Sequence, residues 1–195
     1  MKTIISTLSV MTLLMLALGA CSIPSSTSKV GTPTSGNGTG VAPHWGAQTK
    51  TSGCQVNGAL QDTACTPGDI LPAVTKSQVC QSGYASSVRN VPVSTKNKVY
   101  RSYGIVSHRS GQYEVDHLVS LELGGSNDIS NLWPEAASPT PGFHEKDKVE
   151  NYLHDQVCSG AISLQQAQIE IATNWLNVYN TMPKNTSGSS STDSQ

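Results

Sequence analysis

Residues 113–135 read YEVDHLVSLELGGSNDISNLWPE, and the fold turns on how this stretch divides. Tyr113, Val115 and His117 alternate with Glu114 and Asp116, the period-two pattern of a half-buried strand. Gly124-Gly125 and the polar SNDIS predict a turn, after which NLW resumes as a second short strand. Asp116 and His117 stand side by side at the end of the first strand, in a chain with only five histidines. Such a pair is either the edge of an ordinary hairpin or two parts of one chemical site.

Downstream, the proline-rich ASPTPG precedes a helix expected from about Phe143 to Val157, with Val149, Leu153 and Val157 along one side and Gly160 as its stop. Ser163 with Gln166 forms a capping-box pattern that opens a last helix, in which Leu164, Ala167, Ile171, Trp175 and Tyr179 recur at helical spacing. Those apolar residues are expected in the core. Upstream, Ser94 caps a short helix over TKNKVYRSY that Gly104 stops, and Cys54 to Pro72 carries the Pro, Gly and Asp punctuation of a loop. No internal repeat is present. One strand pair among several helices predicts a small α+β domain with disulfide-held loops.

The two ends of the 195-residue chain look unlike globular sequence. Residues 1–20, MKTIISTLSVMTLLMLALGA, carry Lys2 and then an uncharged apolar run ending in small residues before Cys21, which reads as an export signal. Leu18-Gly19-Ala20-Cys21 resembles a bacterial lipobox, which implies lipidation at Cys21 and a membrane attachment through that lipid. Residues 21–53 are rich in Ser, Thr, Gly and Pro and read as a flexible tether, with His44 and Trp45 incidental to it. The folded domain is expected over 54–182, with a disordered polar tail over 183–195. Five cysteines less a lipidated Cys21 leave Cys54, Cys65, Cys80 and Cys158. Four cysteines admit three pairings. Nearness favours Cys54–Cys65, with Cys80–Cys158 then stapling the front of the domain to a late helix. The absence of any C-x-x-C spacing and the export signal favour disulfides over zinc.

Charge is distributed unevenly. Lys2 is the one basic residue of the first twenty, which leaves eleven of the twelve Lys and Arg against thirteen Asp and Glu. Yet no acid falls between Asp69 and Glu114, an interval holding Lys76, Arg89, Lys96, Lys98, Arg101 and Arg109. A block of one sign beside a carboxylate-bearing site suits a polyanionic substrate, and equally an unpartnered solvated face.

The order of YEVDHL, turn, NLW and then FHEKDKVEN, with Asn131 before the second strand and His144 at the helix start, resembles the HNH nucleases of the ββα-metal fold. YEVDHL, ELGGSNDISNLWPE and HEKDKVENYL together look like a group of exported bacterial HNH-type proteins. The resemblance implies a metal-dependent endonuclease that leaves 5′-phosphates. Asp116 and His144 would hold one divalent ion, and His117 would act as general base. Asn131 would hydrogen-bond backbone across the loop and hold His117 in place. Attack of water on a phosphodiester adds charge to the phosphoryl and departing oxygens, which a cation offsets. Mg²⁺ or Mn²⁺ suits this donor pair, and an imidazole also admits Zn²⁺ or Ni²⁺. Because Asp116 points away from His117 in a regular strand, a local bend is expected to bring both to one phosphate.

Lys146 and Lys148, close after His144, are expected to contact phosphate, together with Arg101 and Arg109. Glu135 and Glu150 are placed to support the ligands, Asn151 and His154 lie further along the same helix, and His154 reads as a surface residue. The chain thus reads as an exported, lipid-anchored, disulfide-stabilised endonuclease acting on nucleic acid, DNA rather than RNA, with little sequence specificity because no reading module is present. No protein partner is expected. The rival reading is a non-catalytic surface lipoprotein that binds DNA or an envelope polymer on a degenerate HNH fold.

Overall fold

A computed structural model describes residues 43–184. The export signal, Cys21, the first part of the tether and all but the first two residues of the tail lie outside the described residues. The elements run in chain order as α1 (Lys76–Val79), α2 (Tyr84–Val88), α3 (Val93–Ser102), β1 (Tyr113–His117), β2 (Leu132–Ala136), α4 (Phe143–Ser159) and α5 (Leu164–Thr181). This is a small α+β arrangement of helices around one antiparallel strand pair.

The strand pair is in the register the alternation implies. Tyr113 faces Ala136, Glu114 faces Glu135, Asp116 faces Trp133 and His117 faces Leu132. Two 3₁₀ turns, Leu121–Leu123 and Ile129–Asn131, carry the connection between the strands. Ser120 caps the first by accepting from the Glu122 amide, and Asp128 caps the second by accepting from Ser130. Gly124 ends the first turn with φ of 75°, a left-handed conformation that side chains resist. At Gly125 the constraint is space, because a Cβ there would lie 1.8 Å from the Val119 carbonyl oxygen.

α4 and α5 pack as a pair against this unit. Leu118, Leu123, Trp133, Leu153, Ile171 and Trp175 meet in the core, each at most 1 % exposed. The capping hydrogen bond at the start of α5 is present, with Ser163 Oγ accepting from the Gln166 amide at 3.0 Å. α4 runs two residues past Val157 and stops at Gly160, whose φ is 87°. Its first-turn Glu145 reaches back to accept from the Gly142 amide at 2.9 Å.

Disulfides join Cys54 to Cys65 and Cys80 to Cys158. The second ties the residue that ends α1 to the last turn of α4. Such bonds persist in an oxidising compartment outside the cytoplasm. Among the described residues, no helix is long and apolar enough to cross a membrane.

The tether expected through residue 53 ends earlier. Trp45 packs on the core, the Gly46 amide donates to the Gly68 carbonyl at 2.9 Å, and Thr49 donates to Ala64 at 2.9 Å. A single aromatic anchor with backbone pairing just after it overrides the Ser/Thr/Gly composition. The short helices α1 and α2 were likewise not anticipated. They are one turn each and lack an apolar period long enough to register.

Candidate active site

The β1–β2 ladder is unbroken across Tyr113–His117, so Asp116 and His117 leave the strand on opposite faces. The bend expected between them is absent from the ladder. Opposed residues of an antiparallel pair share a face, so Glu114, Asp116, Glu135 and Trp133 lie together, against α4. His117 looks the other way, toward the end of α2.

On the α4 side the central group is Lys146. Its Nζ donates to Asp116 Oδ2 at 2.6 Å, to the His117 carbonyl at 2.8 Å, and to Glu150. The residue is 0 % exposed. Helical spacing puts it there: Phe143, Lys146, Val149, Leu153 and Val157 all face inward along one stripe of α4. Lys146 was expected to contact phosphate, and the structure corrects this, since a fully enclosed ammonium has no surface to offer a substrate.

The surrounding carboxyls respond to burial and to one another. Burial alone would raise Asp116, but the Lys146 charge and hydrogen bond outweigh it and hold the carboxyl below its ordinary value. Burial also disfavours the Lys146 ammonium, yet Asp116, Glu150 and Glu135 together keep it charged, well above its usual range. Glu114 is pushed up to about 8 by burial and then by Asp116, Asp147 and Glu150. Glu150 rises to about 7, again through burial first, despite its bond to Lys146. Glu135 is 1 % exposed, and neither carboxyl oxygen receives a hydrogen bond from a protein donor. Burial, only partly offset by Lys146, lifts it well above the usual carboxyl range, and Asp116 beside it raises it further.

On the opposite face, His117 Nε2 lies 3.1 Å from Asn127 Oδ1. The Asn127 amide is oriented independently: its Nδ2 donates to the Val88 carbonyl at 2.8 Å, and its Oδ1 accepts from the Asn90 amide at 3.1 Å. Oδ1 is therefore an acceptor and Nε2 carries the imidazole proton, which leaves Nδ1 with the free lone pair. Burial pushes the His117 pKa down to about 4, against the pull of Asp116 and Asn127 and assisted by Arg89. Arg89, between the two residues that Asn127 staples, is exposed and makes no ion pair among the described residues. Asn127 and Arg89 were not singled out from the sequence as site residues; Asn127 reads there as one more polar residue of a turn.

Asn131 is fully buried and bonded only to backbone. Its Nδ2 donates to Val119 at 3.0 Å and Ser126 at 2.9 Å, and its Oδ1 accepts from Val119 at 2.9 Å and Asp69 at 3.2 Å. It closes the loop that leaves His117, while direct contact with the imidazole falls to Asn127.

His144 is exposed, its ring 4.2 Å from that of Phe143. It follows Phe143 on the helix, one step off the buried stripe, so it is turned to solvent. Among the described residues, two sets of three potential metal donors close to within 4.8 Å: Cys80, His154 and Cys158, and Cys54, Asp62 and Cys65. Both spend their cysteines in disulfides, and neither contains Asp116 or His144. Of the donor pair expected for a divalent ion, Asp116 is engaged by an ammonium and His144 is exposed. Lys148 is exposed with Glu145 at 3.4 Å, and Arg101 and Arg109 are exposed without ion pairs among the described residues. His154, expected at the surface, is half-buried with Nε2 3.0 Å from the Val79 carbonyl.

Comparison of the chain with family models, curated proteins and solved structures finds no match.

Proposed function

We propose that the chain is an exported endonuclease that hydrolyses phosphodiester bonds in nucleic acid, with His117 as general base. The observation that supports this best is the state of His117: a neutral imidazole with its proton fixed on Nε2 by Asn127, its Nδ1 lone pair free, beside an unpaired Arg89. The HNH-like order of strand, loop, strand and helix supports it further. In the reaction, Nδ1 takes a proton from water as the oxygen bonds to phosphorus, the bond to the 3′ oxygen breaks, and solvent protonates the departing alkoxide. Arg89 offers the fork of donors that suits a phosphate's non-bridging oxygens. No step is routed through a metal ion, because Asp116, one of the two donors expected to hold it, is engaged by Lys146.

The substrate is DNA rather than RNA, cut with little sequence preference. Export followed by lipid attachment at Cys21 would hold the enzyme at the bacterial cell envelope. A second reading, the non-catalytic envelope binder, is favoured by one observation: His117 is only 3 % exposed. Incubation of the oxidised chain with supercoiled plasmid separates them. Nicking that is abolished in His117→Ala and reduced in Arg89→Ala, with circular dichroism unchanged, is the expected result. Intact plasmid with a persistent gel shift would leave the binder.

A further inference from the structure

Three acceptors around one ammonium use all the hydrogens that Lys146 has. Two are carboxylates of the candidate site, Asp116 and Glu150, and the third is the carbonyl of His117 itself. The lysine enters from the buried stripe of α4, so its stem cannot swing to solvent without separating the helix from the hairpin. A divalent ion at Asp116 would have to displace the ammonium from Oδ2 and then stand beside a second enclosed positive charge. Asp116 Oδ2 and Glu150 are thus engaged by one ammonium, without a metal.

We propose that Lys146 is the built-in cation of this site: its ammonium stands where the HNH resemblance would place a divalent metal, and the chain works without one. That the chain cleaves without a metal rests on the nuclease reading, but the assignment of Lys146 does not. Lys146 is a positioning residue here. It neutralises Asp116 and, through the His117 carbonyl, fixes the end of β1 from which the imidazole projects. Transition-state charge then falls to Arg89 on the opposite face.

The test uses the full oxidised chain, with Mn²⁺ as the probe. Binding is followed by the loss of free-Mn²⁺ signal in electron paramagnetic resonance, and plasmid cleavage is run with and without EDTA. The expected result is no stoichiometric Mn²⁺ binding that depends on Asp116, and a cleavage rate unchanged by EDTA. One Mn²⁺ per chain, lost in Asp116→Asn, would overturn the proposal. Cleavage abolished by EDTA and restored by Mn²⁺ would overturn it as well. Binding that persists in Asp116→Asn lies elsewhere on the chain and agrees with the assignment. No cleavage under any condition, together with no Asp116-dependent binding, would sink the nuclease reading while the assignment of Lys146 stands.

Discussion

Replacing Lys146 with Met isolates the charge from the packing. The thioether side chain fills much of the space of the lysine stem, so the loss is chiefly the ammonium and its three hydrogen bonds. Asp116 and Glu150 are then left without a counter-charge, with side chains only 14 % and 15 % exposed. Removing one member of a buried pair costs about 3–5 kcal/mol, since the remaining charge stays desolvated. For a domain of this size that is a fall in Tm of about 10–20 °C. The loss should also depend on pH. Without the ammonium, burial lifts Asp116, no longer held down, and pushes Glu150 further above the unfolded carboxyl value, so the variant loses stability as pH increases and they are forced to ionise. At low pH they accept protons and the penalty shrinks. The assay is urea denaturation of both proteins at pH 5 and pH 8, followed by tryptophan fluorescence; Trp133 lies opposite Asp116 and is 1 % exposed. A penalty under about 1 kcal/mol at pH 8, or one equal at both pH values, would show that the ammonium is not what compensates these carboxylates.

His117 gives a second pH signature. Its folded pKa of about 4 lies below the unfolded 6.5. The unfolded state therefore binds the proton first, and its contribution, full above pH 6.5, is lost as pH falls toward 4. At about 1.4 kcal/mol per unit this is about 3 kcal/mol, which His117→Gln should largely remove from the pH dependence of urea unfolding. Asn131→Asp should destabilise by about 2–4 kcal/mol, because an aspartate cannot donate to Val119 and Ser126; thermal unfolding measures it. Opening Cys80–Cys158, which spans 78 residues, should cost about 4.5 kcal/mol against about 2.8 for the 11-residue Cys54–Cys65. Paired Cys→Ala variants compared by denaturant unfolding give the order.

Much of the fold was legible because it rests on local periodicity. The alternation around Asp116, the apolar stripe of α4 and the cap at Ser163 each announce an element within a few residues. The cysteine pairing followed from parity and nearness. The site was less legible, because its decisive contacts are tertiary. Lys146 reads as a surface cation by residue type, although its spacing from Val149 and Leu153 already puts it on the buried stripe. That Asn127 rather than Asn131 touches His117 depends on Val88 and Asn90, far upstream in the chain. His144 suits a ligand by sequence position, whereas its exposure on the helix depends on which stripe of α4 is buried.

Residues 88–90, which hold Asn127 and present Arg89, follow closely on Cys80, whose partner lies at the far end of α4. The geometry around His117 is thereby linked to a bond that a reducing cytoplasm would not keep. Under the proposed reading the linkage would act as a safety catch: a site that cuts nucleic acid would be completed only where the Cys80–Cys158 bond can persist, away from the compartment that holds the genome.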